Sequence, residues 1–485
     1  MREVRTVIDA TTLSALTAAV LAGPATTNST EVGPGSVFFA LVGARDGHDF
    51  LDDAVRAGAG AVVVSKPYTP PVDGVEVISV PDTLEALQAA GGAVRQHYDV
   101  DALAVTGSVG KTTTKNLLTH LLAASRPVLS SPKSFNNHLG VPLTLLSLDA
   151  SYTDLVAEIG TNHPGEIAAL VRLVRPRAAL VTNVGFAHLG NFGSREALAD
   201  EKVSLFTGVA PDGVWFVNAD DPILLDAVGR LDRPATTRVV TFGTAADADV
   251  RVSDVAVTES ATTGVVHVGG ESLPFTFPLV GRHFGGTVAS AVAIAVERGI
   301  PAADAVALLA TFPGSEGRAS VSTIRDGAMR LIDDSYNGSP DSMLAALDTL
   351  STFPEDRRIA VLGEMRELGD WTEAMHTTVG TKAGSSATDL VFIGPSEPVV
   401  RRAATAAGLP DDRIHAAASA PEAAALVEAL LAADPGATSA VLVKGSRFVH
   451  TERVPLVLDG TPVGCMLALC ELYIHCSKCP KVLTG

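Results

Sequence analysis

The run TGSVGKTT (106–113) spaces two glycines, a lysine and two threonines as a polyphosphate would require. Gly107 and Gly110 let backbone N–H groups curl around phosphate oxygens, and a helix N-terminus behind them adds its positive end. Ser108 and Thr113 complete the loop, Lys111 is placed to reach the β and γ phosphates, and Thr112 offers its hydroxyl to Mg²⁺. Val105 occupies the position where the Walker pattern has its first glycine. The apolar ALAVTG before the loop and the helical TTTKNLLTHLL after it supply the strand–loop–helix context, so nucleotide binding is the expectation. The Asn-Lys-x-Asp base-reading signal of a GTPase is absent. Instead DLVAEIG ends on Glu158, a carboxylate that could ligate Mg²⁺; AALVTNVG leads to His188; and ADEKVSLF presents Lys202. Taken singly, His188 is as readily structural, and Lys202 would most simply pair with Asp200 or Glu201. The order strand–Glu, strand–His, helix–Lys behind one phosphate loop is far more specific.

Such a constellation needs alternating strands and helices to hold it. From Ala102 the runs ALAVTG, DLVAEIG, AALVTNVG and GVWFVNA read as buried strands separated by helix-length segments, which predicts a parallel sheet covered on both faces. Residues 247–280 break that rhythm with Thr/Val-rich β sequence, and helices are expected at 286–298 and 302–311. A second alternation follows FPGSEGR (312–318): MRLIDDSY, RIAVLGEM, DLVFIG and SAVLVKGS, each with a helical run behind it. Upstream, SVFFALVG, GAVVVS and GVEVISV are short strands between helices. The fold class expected is therefore α/β in three domains: 1–98, a central phosphate-loop domain at 99–312 and a Rossmann-like domain at 313–458, with a tail at 459–485.

The net charge of −18 argues against nucleic acid or an acidic membrane as partner. No run approaches the roughly 18 apolar residues of a membrane span. TLSALTAAVLAG (12–23) lies behind Arg2 and Arg5 like a signal-peptide core, but Asp9 interrupts the approach. Leu13, Leu16, Val20 and Leu21 recur at helical spacing, so an amphipathic core helix is the better reading. A cytoplasmic monomer acting on small molecules is expected.

In order along the chain, TGSVGKTTTKNLL, SFNNHLGVPLTLL, EIGTNHPGEI, TNVGFAHLGNFGS, EKVSLF, NADDP, DDSYNGSPDSM, VLGEMRELGD and VKGSRFV resemble the motifs of the Mur ligases. The likeness covers roughly residues 25 to 458 and is closest to the branch that adds D-alanyl-D-alanine to a UDP-N-acetylmuramoyl-tripeptide. STEVGPGSVFFALVGARDGHDF is similar to that branch's substrate-anchoring region, where Ser29 would touch the UDP-sugar. The resemblance implies an ADP-forming ligase that makes an acyl phosphate from ATP and converts it to an amide in peptidoglycan synthesis. It implies that Thr112 and Glu158 hold one Mg²⁺, and that His188 and a CO₂-carboxylated Lys202 help hold a second. Asn136 and Asn137 would lie near the phosphates and acyl substrate, with Arg318, Asp334 and Asn337 at the nucleotide. Tyr336 is expected beside them, and Lys444, Ser446 and Arg447 near the incoming amine. Arg318 and Arg447 read equally as members of an exposed salt-bridge network.

Three places depart from the pattern: Asn28-Ser29-Thr30 replaces Asp-Ser-Arg in the UDP anchor, and Thr287 and Ser339 stand where Asn is common. All three concern binding. They keep open a Mur-like amide ligase of specialised metabolism with other substrates, and, in a different class, a non-catalytic ATP-binding partner protein. The tail has no counterpart in the family. It holds all four cysteines (465, 470, 476 and 479) with His475 beside Cys-x-x-Cys, at a spacing that matches no standard zinc template. ELYIHCSKCPKV resembles a C-terminal segment of pyridoxamine-phosphate-oxidase-like flavoproteins without bringing a flavin domain. The tail is therefore expected to be an appendage.

Overall fold

The computed structural model describes residues 8–325, 327–470 and 474–483; Arg2, Arg5 and residues 471–473 of the tail lie outside them. Three sheets organise the chain. The first is all-parallel and small: β1 (Ala25–Thr26), β2 (Val37–Phe39), β3 (Ala61–Val64) and β4 (Glu76–Ser79), side by side in chain order. Helix Ala10–Ala22 begins at Asp9, whose carboxylate accepts from Thr11 and Thr12 N–H, and it buries Leu16 and Val20 as its spacing predicts.

The central sheet comprises β5 (Asp101–Thr106), β6 (Val128–Ser130), β7 (Asp154–Glu158), β8 (Ala178–Val181), β9 (Val214–Asn218), β10 (Arg238–Gly243), β11 (Val250–Val257), β12 (Thr262–Val268) and β13 (Glu271–Phe277). Their order is 13-12-11-10-9-8-5-7-6. From β6 to β11 neighbours run parallel, while β11–β13 form an antiparallel meander that lengthens one edge. That meander is the β-rich interruption read at 247–280. Helices Lys111–Ala123 and Phe284–Glu297 pack against each other. The first buries Leu117, Leu118, Leu121 and Leu122; the second is so rich in alanine and valine that most of its length is enclosed.

The third sheet holds β14 (Ser320–Ile324), β15 (Met329–Asp333), β16 (Arg357–Gly363), β17 (Asp389–Ile393), β18 (Ile414–Ala417) and β19 (Ser439–Lys444) in the order 14-15-19-16-17-18. Only β14 is antiparallel. The α/β class and parallel-dominated sheets follow the expectation. The first unit shares one core with helices on the central sheet, where Leu16, Val94, Val141 and Ile167 fall in a single apolar cluster. Among the described residues, no helix is long and apolar enough to cross a membrane.

Candidate active site

Strand β5 lies between β7 and β8, so the chain reverses its direction of winding there. Loops at the carboxyl ends of these three strands consequently open into one crevice, the place where parallel α/β sheets bind ligands. The phosphate loop follows β5. Glu158 ends β7 as the register partner of Val105, and Asn183 follows β8. Gly107 has φ +151°, and a Cβ there would sit 1.8 Å from Thr182 Oγ1; Gly110, at φ +85°, turns the chain into helix Lys111–Ala123. A side chain has no room at Gly107, and the left-handed backbone at Gly110 disfavours one.

Lys111 Nζ folds back to donate to the carbonyls of Gly107 (2.7 Å) and Ser108 (3.3 Å). Burial lowers its pKa, an effect opposed by Glu158 and reinforced by Arg318. Thr112 Oγ1 donates to Glu158 Oε1 (3.2 Å), which also accepts from Asn136 Nδ2 (2.8 Å). Glu158 Oε2 is buried with no partner among the described residues. A hydroxyl beside a carboxylate oxygen left without a donor suits a hard divalent cation. Ser108 Oγ accepts from Gly185 N–H (2.9 Å), and Thr113 is buried in the first turn of the helix.

The third unit reaches into the same place. Arg318 donates to Thr112 Oγ1 (3.3 Å) while its guanidinium lies 3.9 Å from the centre of the Tyr336 ring. Tyr336 donates its hydroxyl to Ser134 (2.9 Å). Arg318 is therefore stacked and part of the crevice, not a member of an exposed salt-bridge network. Asp334 follows β15 and Lys444 ends the neighbouring β19, so their side chains meet at 2.5 Å; Lys444 also donates to the Asn337 carbonyl (2.9 Å). A cavity of about 300 Å³ opens beside the loop, lined by Val109, Asn183, Phe242, Thr287 and, from the third unit, Asp341.

Lys202 is 1% exposed, and among the described residues nothing pairs with its ammonium. Asp200 binds Arg230 (2.6 Å), and Glu201 accepts from Thr161 and from the Gly165 and Ile167 N–H groups. Pairing with a neighbouring carboxylate is thus not what the structure holds. Burial and then the Lys111 charge push the Lys202 amine well below its ordinary pKa, with Glu201 opposing them. His188 has left-handed backbone (φ +61°), and its Nδ1 lies against the carboxylate of Glu367 of the third unit, itself at φ +64°. That contact holds the Glu367 carboxyl below its usual range.

Other expected site residues make no hydrogen bond to the loop among the described residues, although Arg447 lies 5.7 Å from the centre of the Tyr336 ring. Ser29 sits in a short turn capped by Asn28, which accepts from the Thr30 N–H and hydroxyl. Asn137 Oδ1 accepts from Leu139 and Gly140 N–H just before helix Gly140–Leu145. Ser446 Oγ is buried without a partner among the described residues, and Arg447 pairs with Glu452 (2.7 Å), a carboxylate 1% exposed. The ion pair read as an alternative for Arg447 therefore exists, but it is buried.

Two contributors were not singled out in the sequence. Lys115, one turn beyond Lys111, is buried and donates to the Ser131 and Lys133 carbonyls (2.6 and 2.7 Å), propping the segment that carries Ser134 and Asn136. Asn183 holds the loop from both sides, accepting from Val109 N–H and donating to Val109 O (3.0 Å each). The only available signal was the i, i+4 spacing of the two lysines.

Residues 105–295 match the Mur ligase middle domain, and 317–447 match the Mur ligase glutamate ligase domain. The chain is 34% identical over 437 residues to the UDP-N-acetylmuramoyl-tripeptide–D-alanyl-D-alanine ligase of Escherichia coli, covering 90% of this chain and 93% of that protein. It is 37% identical over 383 residues to the ligase of the same name from Mycobacterium tuberculosis, covering 73% and 74%. A crystal structure of MurF from Acinetobacter baumannii superposes with a TM-score of 0.82 at 28% identity over 93% of this chain and 98% of that one. MurF from Thermotoga maritima, solved in complex with ADP, gives 0.80 at 26% identity over 91% and 98%. With both conserved-domain matches and relatives this similar over most of its length, the chain belongs to the Mur ligase family.

Proposed function

We propose that this chain is an ATP-dependent, ADP-forming ligase that joins D-alanyl-D-alanine to UDP-N-acetylmuramoyl-tripeptide in peptidoglycan precursor synthesis. The observation that carries the reading is the convergence of Thr112, Glu158, Asn136 and Arg318 on the phosphate loop. The named activity of relatives covered nearly end to end supports the substrate pair, and the ADP complex of a structural relative supports the nucleotide.

In this reading the substrate carboxylate attacks the γ phosphorus of ATP, giving an acyl phosphate and ADP. The amine of the dipeptide then adds to the acyl carbon, and the tetrahedral species expels phosphate to leave the amide. Both steps gather negative charge, and the residues at hand answer it. Backbone N–H groups of 107–113 and Lys111 hold the phosphates, Arg318 adds a second cation, and Asn136 orients the Glu158 carboxylate. Thr112 and Glu158 would hold Mg²⁺, which when bound offsets charge on the phosphate oxygens. Lys202 fits the anionic ligand that the resemblance implies, because burial disfavours its ammonium form and the free amine can add CO₂ with loss of a proton. His188 would act beside it. The cavity lined by Asn183 and Thr287 would take the base, with Asp334 and Asn337 toward the nucleotide, Tyr336 and Asn137 toward the acyl substrate, and Lys444, Ser446 and Arg447 toward the dipeptide. Ser29 would contact the UDP-sugar. We place the enzyme in the cytoplasm as a monomer.

The test is phosphate release by purified protein given ATP, Mg²⁺, UDP-N-acetylmuramoyl-tripeptide and D-alanyl-D-alanine, with the amide product identified by mass. Release that requires both substrates is expected. Release with neither, but with another acid and amine, would move the chain to a different ligase activity, in keeping with Asn28-Ser29-Thr30 in the anchor. No ligation with any pair would leave a nucleotide-binding protein.

A further inference from the structure

The tail folds back on the third unit. Cys470 N–H donates to the Phe448 carbonyl (3.0 Å), the Cys465 carbonyl accepts from Arg453 (3.1 Å), and Glu316 meets His475 and Lys478. Cys476 is the enclosed point, 8% exposed, and its thiol faces His450 and Glu452 in the loop and helix that follow β19. Ligand atoms of these three side chains all lie within 4.8 Å of one another.

Three features of this cluster ask for a cation. His450 Nε2 is 3.1 Å from the Cys470 carbonyl oxygen, which can only accept, so the hydrogen-bond network assigns the ring hydrogen to Nε2. Nδ1 lies 2.8 Å from Glu452 Oε1 and 3.5 Å from the Cys476 sulfur, so whatever it carries there, a proton or a metal ion, sits among electron-rich atoms. Glu452 is 1% exposed; Oε1 accepts from Arg447 and from Cys476 N–H, while Oε2 is buried with no partner among the described residues. Finally, bonds of about 2.05 Å to imidazole nitrogen and 2.3 Å to thiolate put a nitrogen and a sulfur on one tetrahedral zinc roughly 3.5 Å apart. That is the spacing of Nδ1 and Sγ here.

We propose that His450 Nδ1, Glu452 Oε2 and Cys476 Sγ form a zinc site that fastens the tail to the ligase body. The mixed nitrogen, oxygen and sulfur donors select zinc over Mg²⁺, and three protein ligands leave a fourth position for water. One carboxylate and one thiolate offset the divalent charge, while Arg447 keeps its own bond to Glu452 Oε1. Without metal, burial and the nearby Glu452 charge push the Cys476 thiol up to about 12, so binding must expel its proton. The step is Cys476–SH plus Zn²⁺ giving Cys476–S–Zn and one proton to solvent, with no redox change. Glu452 also pairs with Arg447, so the metal would tie the tail to the VKGSR loop.

The experiment uses untagged full-length protein, reduced, stripped with a chelator and titrated with Co²⁺ and then Zn²⁺. One equivalent of Co²⁺ should produce a thiolate-to-cobalt charge-transfer absorption, bleached by one equivalent of Zn²⁺ and untouched by Mg²⁺. Cys476→Ser should abolish the band and weaken zinc binding by more than about tenfold. His450→Gln and Glu452→Gln should weaken it as well, whereas Cys465→Ser should retain it. Cys476→Ser lies on the tail and keeps the test readable if Glu452→Gln does not fold. Absence of the band at one equivalent, or its persistence in Cys476→Ser, would overturn the site and leave a metal-free His450–Glu452 ion pair.

Discussion

Lys202 is buried and Lys111 half-buried, and the Lys111 charge works against a proton on Lys202. Lys111 leans on the Gly107 and Ser108 carbonyls and can swing to a phosphate. Lys111→Ala should keep the fold, checked by circular dichroism, while ATP-dependent ligation falls by roughly 10²–10³. Near-normal ligation would mean that the loop serves another ligand. Lys202 has no counter-ion, so its folded state disfavours the proton that the unfolded chain holds. Below its ordinary value of 10.5 the unfolded chain therefore binds more protons, and stability rises with pH from the lowered folded value up to that point. In metal-free, CO₂-free buffer, Lys202→Met should remove this rise and stabilise the protein at neutral pH by about 1–3 kcal/mol. Activity should nonetheless be lost. Lys202→Arg should be as inactive as Lys202→Ala, with only the alanine variant partly rescued by short carboxylic acids; normal turnover in Lys202→Arg would dismiss the carbamate. Lys111, Thr112 and Glu158 were legible because their chemistry is local to one loop or one strand end. Lys115 was not, since its role depends on carbonyls at 131 and 133 that only folding brings near.

Long apolar runs such as β5, β7, β8, β16 and β19 declare themselves, because a strand buried on both faces has few polar positions. Short or polar strands do not: β6 has three half-buried residues, and β14 is Ser-Val-Ser-Thr-Ile, half-buried or exposed throughout. They become strands only because a neighbour offers an edge. Packing between units is just as invisible in the sequence. Arg95, late in helix Thr83–His97, is buried and donates to the carbonyls of Val174, Tyr98, Val100 and Arg175. Three of these lie at or just after helix ends, Val174 and Arg175 closing Glu166–Val174, where carbonyls lack helical partners. A guanidinium spans such scattered acceptors better than an ammonium does. Arg95→Ala should lower stability by about 2–4 kcal/mol in denaturant unfolding, because buried acceptors lose their donors. Arg95→Lys should recover less than half of that; full recovery would mean that charge alone matters there.

At the scale of the whole molecule, the colinear motifs announced three units and one reaction, yet nothing in their order said how the third unit would reach the first loop. The reach depends on a short joint. Between helix Ala302–Leu309 and β14 the backbone takes left-handed φ at Gly314 (+74°), Gly317 (+67°) and Ala319 (+54°), with Arg318 carried between the last two. Gly317 O accepts from Tyr336 N–H at 3.1 Å, which fixes the residue before Arg318 against the ring on which Arg318 stacks. A Cβ on Gly317 would stand 3.2 Å from that Tyr336 nitrogen and 3.3 Å from Ser335 Oγ, whereas one on Gly314 would meet only Leu279 Cδ2 at 3.4 Å. Both alanine substitutions carry a left-handed penalty of roughly 1–2 kcal/mol, so their melting temperatures should fall alike. Their kinetics should differ. Gly317→Ala shifts Arg318 from Thr112, and displacing a positioning group by even an ångström costs on the order of 10²-fold in turnover. Gly314→Ala should keep its kcat within a few-fold of the parent, since nothing at the phosphates moves. Equal kcat losses in the two variants would show that the joint matters only for stability, and that Arg318 is not held by its geometry.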